Sequence, residues 1–195
     1  MIWTLPRMRL GERTPAMLTS EYPVLILVDL QVKLSRVMHE REALIQNAVK
    51  LVKGAKLFGL PIIASEQNPA GLGPTVPELA ELLEDIPVIS KMSFSCCGES
   101  AFMEELEKQG REIVLVAGIE SHVCVYQTVI DLLDLGYEVE VIADAVSSRT
   151  PENRAIGWER CTAYGAALTS VETLLFELLG TAESDKFKDI SKMVK

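Results

Sequence analysis

The feature that most constrains this chain is the alternation of short, dense apolar runs with segments of helical periodicity. The runs "PVLILV" (Pro23–Val28) and "IVLVA" (Ile113–Ala117) contain no polar side chain, and "VEVIA" (Val139–Ala143) contains one. Strands that are apolar on both faces belong to parallel sheets covered by helices on both sides. The strands expected on this basis are Val24–Val28, Pro61–Ala64, Val88–Ser90, Ile113–Ala117, Val139–Ala143 and Ala167–Thr169. Helices are expected near Glu42–Phe58, Val76–Glu84, Ala101–Gln109, Val123–Leu135, Pro151–Tyr164 and Val171–Leu179. Gly59, Gly110, Gly136 and Gly180 each follow a helical run, where a left-handed residue ends a helix, and Pro151 suits a first helical turn. Repeated strand–helix units require right-handed crossovers, so the expected fold is a doubly wound α/β sheet of about six parallel strands.

A chain of 195 residues fits one domain and can bury a core without disulfides or metals. Residues 1–195 are therefore read as a single domain with an N-terminal arm (1–20) and a C-terminal tail (181–195). In the tail, Phe187, Ile190 and Val194 recur at helical spacing, which suits either docking on the same domain or a contact between subunits. Nineteen basic against 28 acidic residues leave a formal charge of −9, which argues against nucleic acid or an anionic membrane as partner. The apolar runs fall short of the roughly 20 residues needed to span a bilayer, and the N-terminus lacks the apolar stretch and cleavage site of a signal peptide. Cys96, Cys97, Cys124 and Cys161 show no framework spacing, so free thiols in a cytoplasmic protein are expected.

In open α/β sheets, ligands bind beyond the carboxyl ends of the strands, near the reversal of strand order. Three residues stand there with chemistry to offer. Asp29 ends the first strand ("LILVDLQ"), where it could instead cap the following helix. Lys91 follows the third ("VISKMSF"), where an isolated lysine ordinarily points to solvent. Cys124 follows the fourth ("GIESHVCVYQ"), and free cysteines are often merely buried. The turn places Cys124 near a helix start, whose unpaired amides and dipole favour a thiolate. A thiol nucleophile needs activation. His122, two residues before it, is badly placed for that on either a turn or a helix, and His39 lies in a polar segment. A carboxylate and an ammonium remain, which Asp29 and Lys91 supply.

This ordered set, with "EQNPAGLGPTVPEL", "DLLDLGYEVEVIADAVSSR" and "FKDISKMVK", resembles the isochorismatase-like cysteine hydrolases from about Pro23 onward. It is most similar to the isochorismatase-domain proteins of uncertain substrate. The resemblance implies strand order 3-2-1-4-5-6, which would set the ends carrying Asp29 and Cys124 about 5 Å apart on neighbouring strands. It further implies Cys124 as nucleophile, Asp29 as proton shuttle, Lys91 as electrostatic support, and backbone amides of Glu120 and Cys124 as an oxyanion hole. A non-proline cis peptide would fall at Ile119–Glu120. In that scheme Lys91 and the helix start lower the thiol pKa. The loop after the second strand, "SEQNPAGLG", has neither the histidines nor the aspartate of metal-dependent nicotinamidase relatives, so neither metal nor cofactor is expected. Gln31, Gln67 and Phe94 are expected to line the pocket.

The function expected is hydrolysis of a small amide or related acyl substrate through a Cys124 thioester, in a homo-oligomer. Two alternatives stand beside it: a non-enzymatic metabolite-binding or regulatory module that keeps the fold, and a redox sensor using an activated Cys124 thiol. A flavodoxin-like nucleotide binder ranks lower, because no glycine-rich loop follows the first strand.

Overall fold

Six strands pair in parallel in the order β3-β2-β1-β4-β5-β6, in a computed structural model that describes residues 18, 19, 21 and 23–195. Most of the arm expected over residues 1–20 lies outside the described residues. The strands are β1 (Pro23–Val28), β2 (Ile62–Gln67), β3 (Val88–Lys91), β4 (Ile113–Ile119), β5 (Glu138–Ser147) and β6 (Ala167–Thr169). The helices are α1 (Val32–Ser35), α2 (Arg41–Phe58), α3 (Pro69–Leu72), α4 (Pro77–Ala80), α5 (Ser100–Gln109), α6 (Tyr126–Asp134), α7 (Pro151–Tyr164), α8 (Val171–Leu179) and α9 (Phe187–Val194).

The unbroken apolar character of β1 has a direct cause, since all six of its residues are buried. Successive side chains of a strand point to opposite faces. Leu25 and Leu27 pack with Leu51 of α2 and Leu174 of α8. Val24, Ile26 and Val28 pack on the other face with Phe102 of α5 and Leu132 of α6. The same division holds for β4, where Leu115 and Ala117 face one layer and Val114 and Val116 the other. The expected doubly wound α/β architecture is therefore the observed one.

Boundaries differ where apolar pattern and backbone pairing part company. β2 continues through Ser65, Glu66 and Gln67, beyond the apolar run, because its backbone is paired with β3 along Ala64–Gln67. The helix expected from Val123 begins instead at Tyr126, after a π-helical turn over Ser121–Val125. The segment expected as a helix over Val76–Glu84 divides into α4 and a 3-10 turn, Glu81–Leu83. The C-terminal tail docks on its own domain: Ile190 is fully buried in the layer formed by α2 and α8.

Candidate active site

The reversal of strand order lies between β1 and β4, and two backbone features shape it. Gly118 of β4 stands opposite Val28 of β1. A Cβ at Gly118 would come within 2.1 Å of the Val28 carbonyl oxygen, so only glycine lets the strands approach this closely. Asp29, the next residue, has φ 52°, a left-handed conformation that costs a non-glycine residue roughly 1–3 kcal/mol. On β4 the peptide Ile119–Glu120 is cis, the only such bond among the described residues. The turn after it brings Cys124 to the same edge of the sheet as Asp29.

Asp29, Lys91 and Cys124 meet there with exposures of 0, 2 and 5%. Lys91 Nζ lies 2.7 Å from Asp29 Oδ2. The ammonium also donates to Gln67 Oε1 at 2.7 Å, to the Phe94 carbonyl at 2.9 Å and to the Ser93 carbonyl at 3.2 Å. The lysine thus serves as the centre of a buried oxygen cage and does not snorkel to solvent. Asp29 Oδ1 accepts a hydrogen bond from Ser65 Oγ at 2.8 Å. Beyond the ion pair, Oδ2 has no aligned hydrogen-bond donor, which leaves it open to a proton.

The thiol departs from expectation. Burial pushes the pKa of Cys124 up to about 12; the neighbouring Asp29 charge adds to the rise and Lys91 opposes it. The expected lowering fails because desolvation penalises the thiolate and the Lys91 charge is already matched by Asp29. Cys124 therefore rests as a neutral thiol facing a carboxylate. Cys97 is also raised to about 12 and Cys161 to about 11, in both cases chiefly by burial.

The remaining expected residues fall into different roles. Gln31 is fully buried. Its amide donates to the carbonyls of Gln67 (3.0 Å) and Gly73 (2.6 Å), and its oxygen accepts from Gln67 N–H at 2.8 Å. Both donors are engaged, so Gln31 braces the loop after β2 and is not an open pocket wall. Gln67 likewise holds the site from behind, accepting from Lys91 and donating to the Met92 carbonyl at 3.0 Å. Phe94 is 54% exposed and Met92 71%, giving the loop that wraps Lys91 an apolar rim. The Glu120 carboxylate accepts from Arg149 Nε at 3.0 Å and from Arg149 N–H at 3.3 Å. His122 meets Ser148 Oγ through Nδ1 at 3.0 Å, not Cys124. The turn is thereby tied twice to the segment after β5. The N–H groups of Val123 and Val125 donate to the Glu120 carbonyl.

Sequence reasoning passed over Ser65, and it read Cys96 with Cys97 only as loop residues able to line a pocket. Ser65 stands opposite Val28 in the β1–β2 register, and a polar residue closing the apolar run of β2 was its available signal. Cys96 is fully buried, and its Sγ lies 3.4 Å from Ser65 Oγ. No local pattern announces that contact, because it spans 31 residues. Among the described residues no group of three or more His, Cys, Asp or Glu side chains could hold a metal ion, and all four cysteines are free.

A parallel α/β sheet with a thiol, a carboxylate and an ammonium at its switch point defines a recognisable class, and comparison with known proteins places the chain within it. Residues 23–173 match the isochorismatase domain, and the chain belongs to that family. The secreted isochorismatase effector Isc1 of Phytophthora sojae is 40% identical over 88% of this chain and 84% of its own length. Human isochorismatase domain-containing protein 2 is 37% identical over 88% and 82%. Among solved structures, MAR1 ribonuclease of Caenorhabditis elegans superposes with a TM-score of 0.86 at 36% identity, covering 92% of both chains. YcaC is similar in two forms. The Pseudomonas aeruginosa protein, solved with hexane-2,5-diol and covalent acrylamide, has a TM-score of 0.88 at 26% identity over 93% and 92% of the two chains. The Escherichia coli protein, described as an octameric hydrolase of unknown specificity, has a TM-score of 0.88 at 25% identity over 93% and 90%. No helix among the described residues is long and apolar enough to cross a membrane.

Proposed function

We propose that this isochorismatase-family protein is a cysteine hydrolase of small amides or related acyl compounds. The observation that carries the reading is the meeting of Cys124, Asp29 and Lys91 at the carboxyl ends of three strands, all nearly closed to water. Because the resting thiol is neutral, Asp29 Oδ2 takes its proton as the sulfur attacks the acyl carbon. Lys91 steadies the carboxylate before and after that transfer. The backbone amides of Glu120 and Cys124 receive the developing oxyanion; one such donor is typically worth about 2.7–4 kcal/mol. Collapse of the tetrahedral adduct breaks the C–N bond as Asp29 returns the proton to the leaving amine. Water then adds to the thioester with Asp29 again as base, releasing the acid and restoring the thiol.

Covalent acrylamide on a YcaC relative supports a site that admits small primary amides. The octameric description of the other YcaC supports a homo-oligomer. The ribonuclease name of MAR1 is not carried over, because a net charge of −9 is a poor match for an RNA backbone. A redox-sensing role is disfavoured by burial and by the scarcity of thiolate, the readily oxidised form. Turnover of a panel of small amides, followed by mass spectrometry, tests the proposal. Wild type should hydrolyse at least one member, and Cys124→Ala should hydrolyse none while keeping the wild-type circular dichroism spectrum. Undiminished turnover by Cys124→Ala would remove the nucleophile assignment.

A further inference from the structure

We infer that Ser65 is a positioning residue for the proposed reaction, selecting which oxygen of Asp29 receives the thiol proton. The inference rests on the hydrolase reading above. Ser65 grips Asp29 twice. Its carbonyl accepts the Asp29 N–H at 3.1 Å, and its hydroxyl lies 2.8 Å from Oδ1. These two bonds clamp both the backbone and the side chain of a residue held at φ 52°. A strained conformation of this kind persists only where its surroundings over-determine it.

The polarity of the clamp is fixed by chemistry. An ionised carboxylate can only accept, so Ser65 must donate its one hydroxyl proton to Oδ1. The Ser65 oxygen then has only lone pairs to offer Cys96 Sγ at 3.4 Å, so Cys96 must be the donor. Cys96 is fully buried, and its own amide donates to Thr128 Oγ1 at 3.0 Å. The chain Cys96→Ser65→Asp29 therefore has one direction and ends at Oδ1. Ser65 thereby fixes the carboxylate with Oδ1 turned to the hydroxyl and leaves Oδ2, which has no aligned hydrogen bond beyond the Lys91 ion pair, as the oxygen to receive the proton from Cys124. An aspartate χ2 is intrinsically broad; without the Ser65 hydroxyl the carboxylate can turn and present either oxygen.

Acrylamide reads this without knowledge of the natural substrate. Addition joins the Cys124 sulfur to the β-carbon while the double-bond electrons form a C–H bond at the α-carbon, so the thiol proton is retained in the adduct. Rates of Cys124 labelling are measured peptide by peptide in wild type, Ser65→Ala, Ser65→Thr and Asp29→Asn. Ser65→Ala should slow labelling about 10- to 100-fold near pH ~7, the scale of a misplaced catalytic group. The gap should narrow near pH ~10, where hydroxide can remove the thiol proton without Asp29. Ser65→Thr, which keeps the hydroxyl, should stay within about threefold of wild type, set by the same positioning argument. A purely structural role would slow Ser65→Ala equally at both pH values and would overturn the inference. Wild-type rates in Ser65→Ala beside slow rates in Asp29→Asn would overturn it while sparing the hydrolase reading. Wild-type rates in both would overturn the two together. Should Ser65→Ala fail to fold, Ser65→Cys, a weaker donor of similar size, takes its place and should be slowed by an intermediate factor; a wild-type rate there would overturn the inference.

Discussion

The two halves of the sheet bring their functional groups to the central crevice by different means. The half formed by β3, β2 and β1 supplies charge. Lys91 and Asp29 sit at strand ends and are held by side-chain hydrogen bonds, Lys91 donating to Gln67 and Asp29 accepting from Ser65. The half formed by β4, β5 and β6 supplies the thiol through backbone shape. Its turn is held by Arg149 on Glu120 and by close packing of α7. Gly157 of α7 lies so near that an added Cβ would fall 2.6 Å from the Ser121 backbone carbon. Buried charge must be surrounded by polar partners, whereas a buried neutral thiol needs only a rigid seat.

This contrast can be broken from either side. The largest effect should come from the charged half. Lys91→Met removes the cation opposite a fully buried Asp29, and orphaning one member of a buried pair typically costs about 3–5 kcal/mol. Urea denaturation should register that loss, and adding Asp29→Asn should restore part of it. No recovery in the double variant would mean that Lys91 supports the loop carbonyls more than it supports Asp29.

In the other half, Gly157→Ala should cost about 1–3 kcal/mol, the usual range for overpacking. It should also slow acrylamide labelling of Cys124 while leaving that of Cys97 unchanged. An unchanged Cys124 rate would show that the turn keeps its shape without α7.

The smallest effect separates seat from chemistry. Burial raises the Cys161 thiol from 9.0 to about 11 in the folded protein. A raised folded-state pKa gives stability that is fully present below pH 9.0 and lost as pH climbs toward about 11, because the unfolded chain releases its proton first. The stability difference between wild type and Cys161→Ala should therefore shrink across that window, measured by thermal melts at matched ionic strength. Turnover should not change. A constant difference would mean that the buried thiol does not resist ionisation as its environment requires.

Much of this molecule was legible along the chain. The apolar runs of β1 and β4 announced strands buried on both faces, and looking at the ends of the first, third and fourth strands found Asp29, Lys91 and Cys124. The limits of β2 were not legible, since Ser65, Glu66 and Gln67 are polar and owe their extended form to pairing with β3. Gln31 was read as a pocket residue because it follows a strand; its amide is instead wholly engaged by the loop after β2. The state of the thiol was read in the wrong direction, since a helix start and a lysine are visible in sequence and desolvation is not.

What the sequence determined alone was the order of the six strands and the longer helices between them, and hence which strand ends carry a carboxylate, an ammonium and a thiol. Local periodicity and turn residues act over a few positions and are written in the chain. Only the tertiary structure decided that Ser65 clamps Asp29, that Cys96 stands behind Ser65, and that Cys124 rests as a neutral thiol. Those facts depend on distances between segments 30 to 100 residues apart, where burial sets the strength of every charge.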